Sequence, residues 1–125
     1  MPYRKLDRRN LRFFPLSARY NRLRIEETAI PPGDAEGGTK GGGPAEAPAD
    51  DDVLRTAEAI RRAKRRGSPV VIAFGAHTVK NGLAPVLIDL LRRGWIDHLA
   101  TNGAGIIHDW EFAFQGATSE KVEEN

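Results

Sequence analysis

The stretch Pro31–Pro48, PPGDAEGGTKGGGPAEAP, contains no large apolar side chain, and a segment with nothing to bury cannot fold into a core. Residues 31–49 are therefore read as a flexible Gly/Pro-rich linker. They divide the 125-residue chain into a disordered basic N-terminal arm, residues 1–30, and a folding unit, residues 50–125. That unit has roughly 75 residues, close to the lower limit for a self-sufficient core. A marginal core is expected.

The formal net charge of +2 hides an uneven distribution. Arg4, Lys5, Arg8, Arg9, Arg12, Arg19, Arg22 and Arg24 crowd the arm, while Glu120, Glu123 and Glu124 close the chain. The arm offers few aromatic residues beyond Tyr3, Phe13, Phe14 and Tyr20, and no recognisable nucleic-acid-binding module. A solvated extension, or an arm docked on a partner subunit, fits it better than a nucleic-acid site. Around Leu11–Ile25 neither helical nor strand periodicity is clean, and a short extended segment is the most that can be read there. Cysteine is absent, which removes disulfides, thiolate metal sites and a cysteine nucleophile. No apolar run is long enough to span a bilayer, so no membrane partner and a cytoplasmic location are expected.

From Asp50 onward the local signals are strong. Three aspartates offer an N-cap and an acidic first turn; Val53, Leu54, Ala57, Ile60 and Ala63 recur at helical spacing; basic residues load the end; and Gly67 suits the position after the last turn. Pro69–Phe74 is apolar on both faces, the pattern of an interior parallel strand. Leu83, Val86, Leu87, Leu90 and Leu91 predict a second helix starting at Asn81 or Gly82, with Gly94 beyond its end. Trp95–Thr101 reads as a second strand and Ile106–Gln115 as a third helix ended by Gly116. Ala117–Glu120 looks like the capped start of another helix. The order α-β-α-β-α implies an α/β fold with parallel strands. Two parallel strands leave open edges, so the chain is expected to be the N-terminal part of a longer protein.

Both strand exits are polar and glycine-rich. In VVIAFGAHTVKNG the apolar strand opens into Gly75, Ala76, His77, Thr78, Lys80, Asn81 and Gly82; the second strand opens into Thr101, Asn102, Gly103, Ala104 and Gly105. Open α/β sheets bind ligands beyond the carboxyl ends of their strands, where small residues admit a ligand to backbone amides. A nucleotide is the expected occupant. Taken alone, either loop also reads as a tight turn with a helix cap. The fingerprint G-x-G-x-x-G is incomplete because His108 stands at the third glycine. His77, His108 and Asp109 are conceivable zinc ligands but lack any strong metal spacing, and no metal is expected. His108 beside Asp109 suits acid–base work near neutral pH. Lys80 suits a phosphate or carboxylate, or simply solvent.

The segment AFGAHTVKNGLAPVLIDLLRRGWIDHLATNGAGIIHDWEFA resembles the N-terminal NAD-binding region of deoxyhypusine synthase and its bacterial homologues, over about a third of the chain from Val70. The resemblance implies a Rossmann-like parallel sheet, present here in part, in a homo-oligomer, by analogy a tetramer, with NAD near a dimer interface. It implies an aminobutyl or related amine transfer from a small-molecule polyamine, of deoxyhypusine or homospermidine synthase type. The resemblance implies NAD contacts from Ala76, His77 and Asn81 and from Asn102, Gly103 and Ala104; with Gly75, Gly82, Thr101 and Gly105 from the same two loops, these are the expected cofactor-binding residues. The family's two adjacent glutamates after the second loop are replaced by Ile107 and His108. His108, Asp109 and Glu111 are then the catalytic candidates, and Lys80 does not inherit the family's catalytic lysine. A second reading is a non-catalytic nucleotide-binding or regulatory subunit of the same fold.

Overall fold

The structure, a computed structural model, describes residues 5, 7–33 and 50–124. Most of the Gly/Pro-rich linker, residues 34–49, lies outside the described residues, as does the start of the arm. The fold is mixed α/β with two small sheets of two strands each. In chain order, two short 3₁₀ turns are followed by β1 (Asn21–Arg24), α1 (Ile25–Thr28), α2 (Asp51–Arg65), β2 (Val71–Phe74), α3 (Ala76–Lys80), α4 (Ala84–Arg92), β3 (His98–Thr101), α5 (Gly103–Gln115) and β4 (Ala117–Glu120).

Local chemistry sets most of these bounds. The Asp50 carboxylate accepts the Asp52 amide, starting α2 as an N-cap. Gly67 follows its last turn at φ +68°, a left-handed conformation that glycine adopts without Cβ strain. Lys64 near the end of α2 reaches Asp97 at 2.7 Å, and Asp97 also accepts the Val70 amide at 2.8 Å. The Lys64 hydrogen bond first, then that amide, holds the Asp97 carboxyl below its ordinary range. One carboxylate thus ties α2 to the start of β2.

β2 and β3 pair in parallel, as the alternating order of helices and strands predicts, with Val71 opposite His98 and Phe74 opposite Thr101. The Thr101 hydroxyl donates to the Phe74 carbonyl at 3.0 Å, joining the two strand ends. The core beneath is small: Val79, Leu87, Ile96, Phe112 and Ala117 are its buried apolar members among the described residues.

Four expectations are corrected. The arm is not disordered throughout, because Asn21–Arg24 forms β1, antiparallel to β4, with Leu23 opposite Thr118 and Arg24 opposite Ala117. Ala117–Glu120 is correspondingly a strand and not a helix start. Its partner lies nearly a hundred residues upstream, so nothing local announces the pairing. The first polar loop is largely helical, since Gly75 at φ −89°, ψ 169° caps a single turn, α3, before the break at Asn81-Gly82. Likewise Gly103, Ala104 and Gly105 form the first turn of α5, with Asn102 as its N-cap.

The segment after β1 crosses the turn at Gly82. The Ile30 amide donates to the Gly82 carbonyl at 2.8 Å, and a Cβ on Gly82, whose φ is +86°, would collide with the Thr28 carbonyl. Gly94 shares the left-handed backbone, at φ +71°, but has open space around it. Gly94→Ala should therefore cost about 1 kcal/mol, the backbone term alone. Gly82→Ala should cost about 1–3 kcal/mol more, because the crossing segment must shift. Urea denaturation of the two variants measures the difference; equal losses would show that the segment does not press on Gly82.

Candidate functional site

Parallel pairing brings both polar exits to one rim. Phe74 and Thr101 end side by side, so α3 begins next to the start of α5. A cavity of about 360 Å³ lies there, lined by Phe74, Val79, Leu87, Leu99, Thr101, Gly105 and Asp109 among others. A second cavity, of about 190 Å³, lies under residues 25–29 and shares Val79, Ala84, Ile88 and Asp109 with the first.

The expected cofactor residues take different places around this rim. At Gly75 and Gly103 nothing stands within 4 Å of where a Cβ would be, so the backbone there is open to approach. The first amides of α5, from Gly103 and Ala104, have no intrahelical acceptor, as at any helix start. Asn102 is engaged in folding, its side chain accepting the Gly105 amide at 3.0 Å. Gly105 is buried against the Thr101 side chain, which a Cβ would strike, so its smallness serves packing. His77 lies exposed on α3, Ala76 is half-buried at its start, and Asn81 is the exposed residue that ends it. Gly82 is buried beneath Thr28 and Ala29, away from the open rim.

The three acid–base candidates separate on α5, because successive helical residues point about 100° apart. Asp109 shares the face of Gly105 and Phe112, toward the two cavities. His108 and Glu111, three apart, face β4. There Glu111, only 7% exposed, meets the Arg19 guanidinium at 2.7 Å and accepts the hydroxyl of the fully buried Thr118. The same hydroxyl lies 2.7 Å from His108 Nδ1. Arg19 and Thr118 are the members of this cluster that the sequence did not flag. Arg19 looked like one of many basic residues in the arm, and Thr118 like a helix cap. Among the described residues no group of three or more His, Asp or Glu side chains could hold a metal ion, and no helix is long and apolar enough to cross a membrane.

Burial pushes the Glu111 carboxyl up, but the Arg19 and Thr118 hydrogen bonds, with the charges of Arg19 and His108, outweigh it and hold the carboxyl below its ordinary value of 4.5. A carboxyl depressed in the folded state stabilises the fold fully above its unfolded value and loses that contribution as pH falls through the folded one. The acid limb of stability below pH 4.5 should therefore carry a Glu111 component. Arg19→Met leaves the buried carboxylate with one hydrogen-bond partner fewer and should destabilise by about 2 kcal/mol at neutral pH. The difference from wild type should shrink as pH falls below 4.5 and the carboxyl takes up its proton, first in the unfolded chain and then in the fold. Chemical denaturation across pH tests this; a pH-independent difference would assign the Arg19 effect to packing alone.

With this geometry in place, comparison with known proteins corrects the family reading. The chain is similar to an ornithine cyclodeaminase from Methanothermobacter thermautotrophicus, 33% identical over 73 residues, which is 58% of this chain and 18% of that protein. The chain thus spans about a fifth of the relative's length. No protein-family model matches the chain, and no solved structure matches it. The match to an ornithine cyclodeaminase, and not to a deoxyhypusine synthase, overturns the resemblance drawn from the strand-exit motifs. The aminobutyl-transfer function and the polyamine donor fall with it. The reading as a non-catalytic nucleotide-binding subunit has no specific support either. Glycine-rich strand exits answer a requirement shared by many α/β proteins, so the motif carried less family information than its length promised.

Proposed function

We propose that this chain contributes the dinucleotide-binding rim of an ornithine cyclodeaminase-like enzyme, with NAD lying across the carboxyl ends of β2 and β3 in a Rossmann-like arrangement. The observation that carries the reading is the parallel register that sets Gly75 beside the start of α5. It supports NAD because a pyrophosphate is recognised by exposed amides at a helix N-terminus approached over glycine, and Gly103 and Ala104 offer both. The cavity of about 360 Å³ opens beside these amides, at Phe74, Thr101 and Gly105, while Gly75, Gly103 and Ala104 themselves lie outside its lining. The similarity to an ornithine cyclodeaminase supports an amine-bearing substrate. When bound, NAD supplies the hydride acceptor needed to release an amino group from a saturated carbon.

In this reading Gly75, Gly103 and Ala104 hold the cofactor's phosphates. Ala76 and His77, at the start of α3, border it on the other side. Thr101 keeps the two strand ends together through its bond to Phe74. Asp109 is the acid–base candidate turned toward the cavity, whereas His108 and Glu111 bind α5 to β4 through Thr118.

Gly103→Val separates ligand contact from folding. Gly103 lies in open space with no left-handed φ, so the variant should unfold close to wild type. Its affinity for NAD should fall about tenfold or more, since the added side chain covers the amides. Calorimetric titration and thermal shift with NAD measure both quantities. Wild-type protein that shows neither heat nor stabilisation at millimolar NAD would refute the assignment.

A further inference from the structure

We infer that the cleft between the N-terminal arm and the end of β4 is a second small-molecule site, which takes a singly charged aromatic carboxylate on the unused edge of Arg19. The inference goes beyond the dinucleotide reading and does not rest on it, since this cleft shares no lining residue with the rim cavity or the smaller one.

Arg19 spends one nitrogen, Nη1, on Glu111 at 2.7 Å. Its Nε and Nη2 are buried and meet no acceptor. These two N–H groups share one edge of the planar guanidinium and point the same way, the fork that matches both oxygens of a carboxylate. A buried donor without an acceptor destabilises the fold, and an oxyanion on this edge satisfies two at once. Arg19 also lines a cavity of about 420 Å³, together with Arg12, Phe13, Phe14, Leu16 and Tyr20.

The other walls decide the class of occupant. Phe13, Phe14, Leu16 and Tyr20 make an apolar, largely aromatic lining suited to a ring. Of the four charged side chains that border it, Arg19 is matched by Glu111 and Glu124 by Lys121 at 3.1 Å. Arg12 and Glu120 balance one another, so the cleft is close to neutral. A single negative charge is met by the Arg19 fork with Arg12 beside it, whereas a doubly charged phosphate brings a second charge that Glu120 repels. Phe13 and Phe14 are 85% and 75% exposed, so little packing holds them and they can turn aside to admit the carboxylate to the buried fork. Because the Arg19 ion pair with Glu111 anchors the arm on α5, an occupant on the free edge fixes the same guanidinium a second time and stabilises the folded chain.

The test uses the full chain with three probes: benzoate, benzyl alcohol, which keeps the ring without the charge, and inorganic phosphate. Calorimetric titration and thermal shift give affinity and stabilisation. Benzoate at about 10 mM should raise the melting temperature, and it should bind about tenfold more tightly than either of the others. Arg19→Lys keeps a cation for Glu111 but has no fork, and should lower benzoate affinity about tenfold. Phe13→Ala alters an exposed side chain, so it should melt close to wild type and still lower benzoate affinity about threefold. Benzoate that neither binds nor stabilises, or benzyl alcohol or phosphate that binds as tightly, overturns the inference. So does an undiminished benzoate affinity in either variant that folds.

Discussion

A carboxylate with almost no access to water must be compensated where it lies, and Glu111 imposes that condition on the rest of the fold. Arg19 meets it with one charge-assisted hydrogen bond from Nη1, and Thr118 with a hydroxyl. The two partners come from opposite ends of the chain, so satisfying Glu111 draws the N-terminal segment and β4 onto α5. Once Arg19 is held, β1 runs beside β4 and the following residues are carried across Gly82. There they roof the smaller cavity and cover the turn between α3 and α4. The site therefore owes one of its walls to an ion pair outside it.

Helix α5 organises the chemistry by giving each face a separate task. Asn102 caps it and leaves the first amides at the strand rim. The face with Gly105, Asp109 and Phe112 turns to the cavities, and the face with His108 and Glu111 turns to β4. The remaining face carries Ile106, Ile107, Trp110 and Phe114, all exposed, with the two aromatic rings stacked at 4.9 Å. A stripe of this kind explains why α5 has weak amphipathic patterning: apolar residues occur on its solvent face as well as its buried one.

Much of the fold was legible in short-range chemistry. The cap at Asp50, the left-handed glycine at 67, the apolar tetrapeptide of β2 and the stop at Gly116 all act within a few residues, where periodicity and capping rules apply. The rim was legible too, because parallel strands force their exits together. Its detail was not. Gly75 and Asn102 each leave their strand directly into a helical turn, so residues read as open loop became helix starts. A run of glycines and polar residues is compatible with either outcome.

The catalytic trio read as His108, Asp109 and Glu111 shows where local reasoning stops. Sequence neighbours on a helix diverge, and only the packed partners reveal which direction meets a cavity and which meets a strand. By itself the sequence determined the identity of the central elements and the parallel sense of β2 and β3, since both follow from interactions among near neighbours and from the steric rules of short connections. Tertiary structure alone decided that Asn21–Arg24 pairs with Ala117–Glu120 and that Arg19 reaches Glu111, 92 positions away. The reason is physical: a buried charge selects its partner in space, by desolvation and geometry, and that choice leaves no periodic trace along the chain.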